Sequence, residues 1–270
     1  MFKKWFKKAQ EESRKLAGEV FQELDSAEAY LERGFRWLEE QDANSALRDF
    51  EAAARLAPNE AQPLVAQVVA LQQLQRPRET ITLAKQALQQ APHNFLARHI
   101  LVELLSEQEQ LPQAMKWVNE GIAQRENRLQ YAHNDPTLRQ EDVERLQKEM
   151  AELRFQRANL HLAKQDTAAA EADLNSALET LPEKFSGLLN RATLRLKLHQ
   201  DPEGALQDVE AALTAGPHEP REQQALGYAH LLRARCRLAL NQKKQVCADL
   251  RKASNYGILE ARALFMEHCQ

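Results

Sequence analysis

Apolar residues recur along the chain at the three- and four-residue spacing that is typical of amphipathic helices. In residues 2–24 this pattern comprises Phe2, Trp5, Phe6, Ala9, Leu16, Val20, Phe21 and Leu24. Short polar stretches, for example residues 41–44 and 164–167, separate the later apolar runs. The pattern therefore predicts amphipathic helices that are joined in pairs by short turns.

The helical pattern repeats with a period of about 34 residues. Prolines follow the apolar runs at corresponding places, namely Pro58, Pro92, Pro182 and Pro217. Because proline cannot continue a helix, each one marks the end of a helix pair. Small residues also recur at matching places, which include Ala46, Ala53, Ala170, Ala177, Ala205 and Ala212. They let two helix axes approach closely, and since one pair cannot bury its apolar face alone, we expect the pairs to stack into a solenoid.

The repeat resembles the tetratricopeptide repeat family over roughly residues 27–258. The first period carries the signature of the family at Gly34, Ala46, Phe50, Ala53 and Pro58. The second and third periods lack the glycine, and the sixth lacks the proline. The resemblance implies an all-α, superhelical solenoid of about six helix pairs. The apolar pattern adds an N-terminal amphipathic helix and a C-terminal capping helix.

We expect five parts along the chain. They are a basic amphipathic helix at 1–24, repeats one to three at 25–122, a helical extension at 123–149, repeats four to six at 150–258 and a capping helix at 259–270. The extension reflects roughly 22 residues more than the repeat period requires. Asp135 and Pro136 predict a helix start there, because Asp caps a first turn and Pro suits its first position. A projecting antiparallel hairpin that binds a partner and a solvated spacer are the two interpretations of the extension.

Composition and cysteine content narrow the function classes. With 8 Gly and 10 Pro among 270 residues, the chain has few of the residues that tight β-hairpin turns need. A net charge of −3 argues against a nucleic-acid partner. Cys236, Cys247 and Cys269, with no apolar signal segment, predict free thiols in a reducing compartment. The first two could face each other on the last helix pair. Since no run approaches about 18 apolar residues, we expect a cytoplasmic protein.

The N-terminal tip combines aromatic and basic residues. The membrane-surface candidates are Phe2, Lys3, Lys4, Trp5, Phe6, Lys7 and Lys8. Each basic residue near an anionic bilayer contributes about 1 kcal/mol to binding, so this segment could hold the protein peripherally at the inner face of a membrane. The alternative is a helix that caps the exposed end of the first repeat. Both interpretations are open for residues 1–9, and capping is favoured for residues 12–24.

In tetratricopeptide repeat proteins, the first helices of successive repeats line a groove that takes an extended peptide or a helix. The resemblance implies that the groove positions here are Leu31, Phe35, Leu38, Val65, Val69, His99, Glu103, Phe155, Asn159, Leu189, Asn190, Thr193, Leu231 and Arg235. Family members use asparagines at comparable places to bind a peptide backbone, since one amide both donates and accepts. Asn190 could instead complete local hydrogen bonds. Basic residues with which chaperone-binding members hold a carboxylate are replaced here by Phe155, Tyr228 and Leu232, which favours an apolar or mixed peptide.

Motifs for catalysis or metal binding are absent from the sequence. It has no HExxH, CxxC, phosphate-binding glycine loop or Gly-x-Ser-x-Gly, and its 8 histidines form no pair at a helical metal-binding spacing. We therefore predict no catalytic residue, no metal and no cofactor. The favoured function is a non-enzymatic scaffold or adaptor for a protein partner. The alternatives are a structural subunit that self-associates through the hairpin and an accessory subunit of an enzyme complex.

Overall fold

The computed structural model describes residues 24–132, 138–217 and 225–269. The helices in these ranges are α1 (Ala27–Glu39), α2 (Ala43–Leu56), α3 (Ala61–Gln73), α4 (Pro77–Gln90), α5 (Phe95–Glu107), α6 (Leu111–Tyr131), α7 (Gln140–Ala163), α8 (Thr167–Thr180), α9 (Phe185–Leu198), α10 (Pro202–Ala215), α11 (Ala225–Ala239), α12 (Val246–Asn255) and α13 (Leu259–His268). No strand occurs in the same ranges. The prediction of an all-α chain is confirmed, while the helix predicted for the N-terminus falls on residues 1–23, outside the described part.

The chain divides into two compact units, Met1–Trp117 and Val118–Gln270. In the first unit, consecutive helices pack on each other from α1 to α5. In the second unit, they do so from α7 to α13. Each unit is therefore built from helix pairs in chain order, and the described residues contain the six predicted pairs followed by α13. None of the described helices has the length and apolar character that crossing a membrane requires.

The turn inside each helix pair has a recurring backbone geometry. A residue with positive φ follows the first helix, at Gln41, Gln75, Glu109, Gln165, Gln200 and Asn241. In the first pair the next residue, Asp42, donates its N–H to the Trp37 carbonyl at 2.8 Å. This bond is the Schellman closure of a helix, which usually has glycine at the left-handed position. Asp42 then caps α2 by accepting the N–H of Ser45 at 3.0 Å.

Small residues lie where the two helices of a pair cross. Ala46 of α2 has no exposed surface. At Gly34 of α1, a Cβ atom would lie 2.3 Å from Cε1 of the Phe50 ring, closer than a side chain can approach without displacing it. Gly187 of α9 meets the ring of Phe155 in the same way, at 2.4 Å. The predicted role of small residues is confirmed, and Gly187 adds a close approach between successive repeats.

The extension between the third and fourth repeats consists of the long helices α6 and α7. Arg125 of α6 donates from Nε to Glu149 of α7 at 2.9 Å. Nearer the other end of α7, Arg157 donates to Asn119 at 3.0 Å. The residue numbers run in opposite directions along this contact, so the two helices are antiparallel, as predicted.

The helix start predicted at Asp135 and Pro136 falls on residues outside the described part. Helix α7 itself begins at Gln140, after two described residues that are not helical. The backbone N–H of Arg139 donates to the Asp142 carboxylate at 3.3 Å. A carboxylate three residues into the helix thus satisfies the donor that precedes it, and this capping interaction sets the start.

Candidate functional site

Four helix pairs contain a buried carboxylate that is held by an arginine of the first helix. These aspartate clusters pair Arg33 with Asp49, Arg157 with Asp173, Arg191 with Asp208 and Arg233 with Asp249. In each, the guanidinium donates two hydrogen bonds, one to each carboxylate oxygen, at 2.6 to 3.0 Å. The repeat pattern alone did not predict these clusters. Their signal is an arginine directly before the small residue of the first helix and an aspartate directly before the Phe50 position.

A second donor one helical turn later usually completes the cluster. Trp37 donates from Nε1 to Asp49 at 3.1 Å. Arg195 and Arg237 take the corresponding place and approach their aspartates to 2.8 and 2.5 Å. Carboxylates that are saturated with donors in this way join the two helices of a pair, and they leave little capacity for proton transfer. We therefore assign the clusters a structural role.

Asp249 has the most crowded environment of the four aspartates. Its side chain is 2% exposed, and it contacts Arg233, Arg237 and His230. Burial by itself would raise the pKa of Asp249, but the hydrogen bonds from His230 and Arg233 and the charges of both arginines outweigh it and hold that pKa below its ordinary value. The carboxylate is therefore ionised throughout the neutral range.

In the first unit, two predicted groove residues, Leu31 and Phe35, line a surface pocket between α1 and the start of α3. The pocket is lined by Ala27, Glu28, Leu31, Glu32, Phe35, Glu60 and Gln62. Leu31 is buried at its floor, while the Phe35 side chain is 42% exposed and its ring lies 5.1 Å from that of Phe50. Leu38, Val65 and Val69 are half-buried nearby on the same helices. An apolar floor and an exposed aromatic ring thus lie beside carboxylates.

The three glutamates of this pocket are exposed, and none forms an ion pair within the described residues. Carboxylates that share a small surface repel one another unless a cation lies between them. The pocket is therefore suited to a ligand that is both apolar and positively charged.

In the second unit, the structure brings two predicted groove residues together. The Nδ2 group of Asn190 on α9 donates to Oδ1 of Asn159 on α7 at 2.8 Å. On α9, Thr193 Oγ1 donates to the Leu189 carbonyl at 2.8 Å and lies 3.1 Å from the Tyr228 hydroxyl. The bond between the two amides is a local hydrogen bond, as the alternative for Asn190 expects. The Asn190 carbonyl and the Asn159 amino group take no part in this bond.

Other predicted groove residues contribute to the core or already have a partner. Phe155, Leu189 and Leu231 are buried, and the Phe155 ring lies against Gly187. Arg235 is paired with Glu260 of α13, a contact that the sequence analysis did not anticipate. In the first unit, His99 and Glu103 are half-buried on α5. The membrane-surface candidates from Phe2 to Lys8 lie outside the described residues, so their role stays a prediction.

The prediction of three free thiols is wrong for two of the cysteines. Cys247 and Cys269 form a disulfide with a Cα–Cα distance of 5.6 Å. Cys236 is free and fully buried, and burial raises the pKa of its thiol to about 11. Cys247 therefore faces Cys269 rather than Cys236. The reason is that α13 folds back along α12, which brings the end of the chain beside the start of α12.

Potential metal ligands do not cluster in the described ranges, 24–132, 138–217 and 225–269. No group of three or more His, Cys, Asp and Glu side chains there has an arrangement that could hold a metal ion.

Comparisons with known proteins place the chain among repeat proteins. The model of the Tetratricopeptide repeat family matches residues 71–134. No curated protein matches the chain. The fold is similar to that of pilF from Pseudomonas aeruginosa, with a TM-score of 0.71, 17% identity and coverage of 89% of this chain and 97% of that one. It is also similar to PilW, a widely conserved type IV pilus biogenesis factor, with a TM-score of 0.64, 13% identity and coverage of 90% and 100%.

A third similar structure is MamA from Desulfovibrio magneticus RS-1, with a TM-score of 0.52, 17% identity and coverage of 71% of this chain and 96% of that one. At these identities the similarities show the fold alone. The Tetratricopeptide repeat model thus covers residues 71–134, and the helix pairs that recur through the described residues have the fold of these similar structures.

Proposed function

We propose that this protein is a non-enzymatic adaptor that binds a partner's peptide or helix on the first-helix faces of its repeats. Its tetratricopeptide fold is that of a protein-interaction scaffold. The observation that carries the proposal is the pocket between α1 and α3, where the exposed ring of Phe35 lies beside the carboxylates of Glu28, Glu32 and Glu60. This chemistry favours a partner segment with an apolar or aromatic side chain next to Lys or Arg.

Exposure of Phe35 is the main energetic reason for placing a ligand there. A large aromatic side chain that is partly exposed above an apolar floor contributes strongly to binding when a partner covers it. The neighbouring carboxylates would contribute to the association rate and to specificity more than to affinity, because they face solvent. In the second unit, the Asn159–Asn190 amide pair would supply hydrogen bonds to the backbone of a bound segment.

The test is affinity capture of partners by the full chain and by its Phe35→Ala variant, quantified by mass spectrometry. The matched control is Leu56→Ala, which removes an exposed apolar side chain of similar size at the end of α2. We expect a partner that the parent chain and the control capture equally and that Phe35→Ala captures at least about tenfold less, the effect of a 1.4 kcal/mol loss. Equal capture by all three proteins would argue against the pocket.

Self-association through α6 and α7 is a second candidate function, supported by a specific observation. A second surface pocket lies beside these helices, and its apolar lining includes Leu129, Leu138, Val143 and Met150. Sedimentation velocity over a hundredfold concentration range, with a Val143→Glu variant, separates this function from peptide binding. A sedimentation coefficient that rises with concentration in the parent and not in the variant would support assembly through this surface.

The location of the protein in the cell is also a proposal. The sequence predicts a cytoplasmic position, in part because free thiols are expected in a reducing compartment. The Cys247–Cys269 disulfide removes that support, because disulfides persist mainly in oxidising compartments. Trapping thiols in intact cells with a maleimide measures the oxidised fraction directly. The proposed membrane contact of residues 2–8 is tested by co-sedimentation of the full chain with vesicles rich in anionic lipid. A full chain that stays in the supernatant would contradict it.

A further inference from the structure

The last helix, α13, covers an apolar surface formed by α11 and α12. Ala261 of α13 has no exposed surface. It belongs to one buried cluster with Leu231 and Ala234 of α11 and with Val246, Leu250 and Ala253 of α12. Leu264 and Phe265 of α13 pack against the same cluster. Without α13, these side chains would form a contiguous exposed apolar surface.

The remaining faces of α13 are exposed to solvent. Leu259 is 82% exposed and Met266 is 61% exposed. The helix has 10 residues, and isolated helices of fewer than about 12 residues are marginal in water. The position of α13 therefore depends on one packed face and on its covalent connections.

The two ends of α13 are held in different ways. At its start, Gly257 adopts a φ of 82° and the N–H of Ile258 donates to the Ala253 carbonyl at 3.2 Å, which closes a tight turn after α12. At its far end, Cys269 is joined to Cys247 at the beginning of α12. Without the disulfide, the covalent link between α12 and α13 would be the turn at residues 256–258.

One polar contact gives the covered surface a chemical preference. Glu260 at the start of α13 pairs with Arg235, which the sequence analysis placed on the groove face of α11. Both side chains are partly exposed, so the pair adds selectivity more than stability. The surface under α13 thus combines an apolar area with a cation at its edge.

We propose that the α11–α12 surface is a binding site for an amphipathic helix that carries a carboxylate opposite Arg235. In the oxidised protein, α13 occupies this site. Reduction of the Cys247–Cys269 disulfide makes the site available to a partner's helix. The matching pattern in α13 is a glutamate followed by small and large apolar residues at Ala261, Leu264 and Phe265. The site is distinct from the pocket between α1 and α3, so either proposal can fail without the other.

The release step is a thiol–disulfide exchange with a dithiol reductant. A thiolate of the dithiol attacks Sγ of Cys269, the Sγ–Sγ bond breaks, and Cys247 leaves as a thiolate that takes up a proton. The second thiol of the reductant then displaces Cys269, so two electrons and two protons reach the protein and the dithiol becomes a cyclic disulfide. Cys247 and Cys269 are half-buried and accessible to such an attack. Cys236 is fully buried and does not compete as a partner.

The first test is hydrogen–deuterium exchange on the full chain, oxidised and after treatment with a dithiol. We expect the amides of residues 259–268 to exchange at least about tenfold faster after reduction, because the exchange rate follows the population of the open state. The amides of α1 and α2 serve as the internal control. A Cys247→Ser, Cys269→Ser variant should match the reduced protein without reductant, and Cys236→Ser should keep the full redox response. Unchanged exchange at residues 259–268 would overturn the redox part of the proposal.

The second test addresses the site itself and uses a fluorescent peptide with the sequence of residues 257–268, which contains no cysteine. Since a tethered α13 competes at an effective concentration on the order of millimolar, the full chain carries Ala261→Asp, which prevents α13 from packing. We expect this variant, once reduced, to bind the peptide at least about tenfold more tightly than the oxidised parent does.

Two controls separate a specific site from non-specific apolar binding. Arg235→Gln, added to the Ala261→Asp chain, should weaken binding of the peptide. It should not change binding of a second peptide, in which the glutamate that corresponds to Glu260 is replaced by glutamine. Failure of the reduced Ala261→Asp chain to bind the peptide would show that the α11–α12 surface is not a helix-binding site. If the Ala261→Asp chain with Arg235 unchanged binds the glutamate peptide and the glutamine peptide equally, the site has no preference for a carboxylate.

Discussion

At the scale of single residues, the four aspartate clusters show how a polar core position can connect two helices. Each carboxylate is buried, yet it accepts two hydrogen bonds from an arginine of the first helix. Burying a charge costs several kcal/mol unless it is paired and hydrogen-bonded, and a bidentate arginine satisfies both conditions. Removing one partner therefore leaves the other uncompensated.

Asp249→Asn should lower the free energy of unfolding of the second unit by about 3 kcal/mol, since it leaves Arg233 without its counterion and Arg237 with Glu210 alone. Urea unfolding at neutral pH measures this difference. The exposed substitution Glu51→Gln on α2 is the control, and we expect it to change the free energy by less than about 0.5 kcal/mol. A loss equal to that of the control would contradict a structural role for the cluster.

The same residue predicts a pH dependence. The pKa of Asp249 is lowered in the folded protein, so its contribution to stability is fully present above its ordinary pKa of 3.8 and is lost as the pH falls through the folded value. The parent should therefore lose more stability than Asp249→Asn below about pH 4. Urea midpoints measured from pH 7 to pH 3 check this, and parallel pH profiles of the two proteins would count against it.

Gly34→Ala tests the closest helix approach in the first unit. Alanine has the higher helix propensity by about 1 kcal/mol, but its Cβ would lie 2.3 Å from the Phe50 ring. We expect a net destabilisation of about 1–3 kcal/mol, as is typical of an overpacked core. Because Phe50→Leu removes the obstructing ring atoms, Gly34→Ala should cost less in that background. A double-mutant cycle without coupling would show that the ring is not the cause.

At the scale of helices and turns, the chain uses glutamine where this turn type favours glycine. Four of the six described residues with positive φ that are not glycine are glutamines, at Gln41, Gln75, Gln165 and Gln200. A left-handed conformation costs an ordinary residue about 1–2 kcal/mol. The six-to-one hydrogen bond and the cap of the following helix offset this cost, so the turn forms without glycine.

Gln75→Gly should therefore stabilise the first unit by about 0.5–1 kcal/mol, since glycine adopts the φ of 54° without strain and loses only part of that gain to backbone entropy. Thermal unfolding followed by circular dichroism measures the change. Gln86→Gly, at an exposed position inside α4, is the matched control and should destabilise by about 1 kcal/mol. A loss of stability in both variants would mean that the turn is not strained.

At the scale of the whole molecule, the two compact units each bury their own core and differ in covalent structure. The disulfide lies in the second unit, where it closes a segment with a sequence separation of 22 residues. Closing a loop of this size restricts the unfolded chain by about 3 kcal/mol. The described cysteines all belong to the second unit, so a reductant should act on one unit selectively.

Reduction, or Cys247→Ser, should therefore lower the free energy of unfolding of the second unit by about 3 kcal/mol and leave the first unit unchanged. Hydrogen exchange resolved by peptide reports the two units separately in one experiment. The buried Cys236 provides the control, because Cys236→Ser affects packing without affecting the cross-link. Equal destabilisation of both units would contradict the assignment.

Much of the candidate site could be predicted from the sequence because helix periodicity places its positions. The resemblance to tetratricopeptide repeats, carried over by the repeat register, predicts Phe35 and Val65 as groove positions. It also predicts Asn159 and Asn190, whose amides bond each other. It could not separate exposed positions from buried ones. The burial of Phe155 depends on the neighbouring Gly187, which lies on a different helix.

The sequence by itself determined the helical class, the repeat period and the small residues at the crossings, because these depend on spacing within one helix pair. Only the tertiary structure decided which distant side chains meet. The pairing of Cys247 with Cys269 and of Arg235 with Glu260 depends on how α13 folds back along its neighbours. The start of α7 at Gln140 goes with a capping contact between the Arg139 N–H and the Asp142 carboxylate. Local spacing carries no information about such contacts, since they are set by the packing of one element on another.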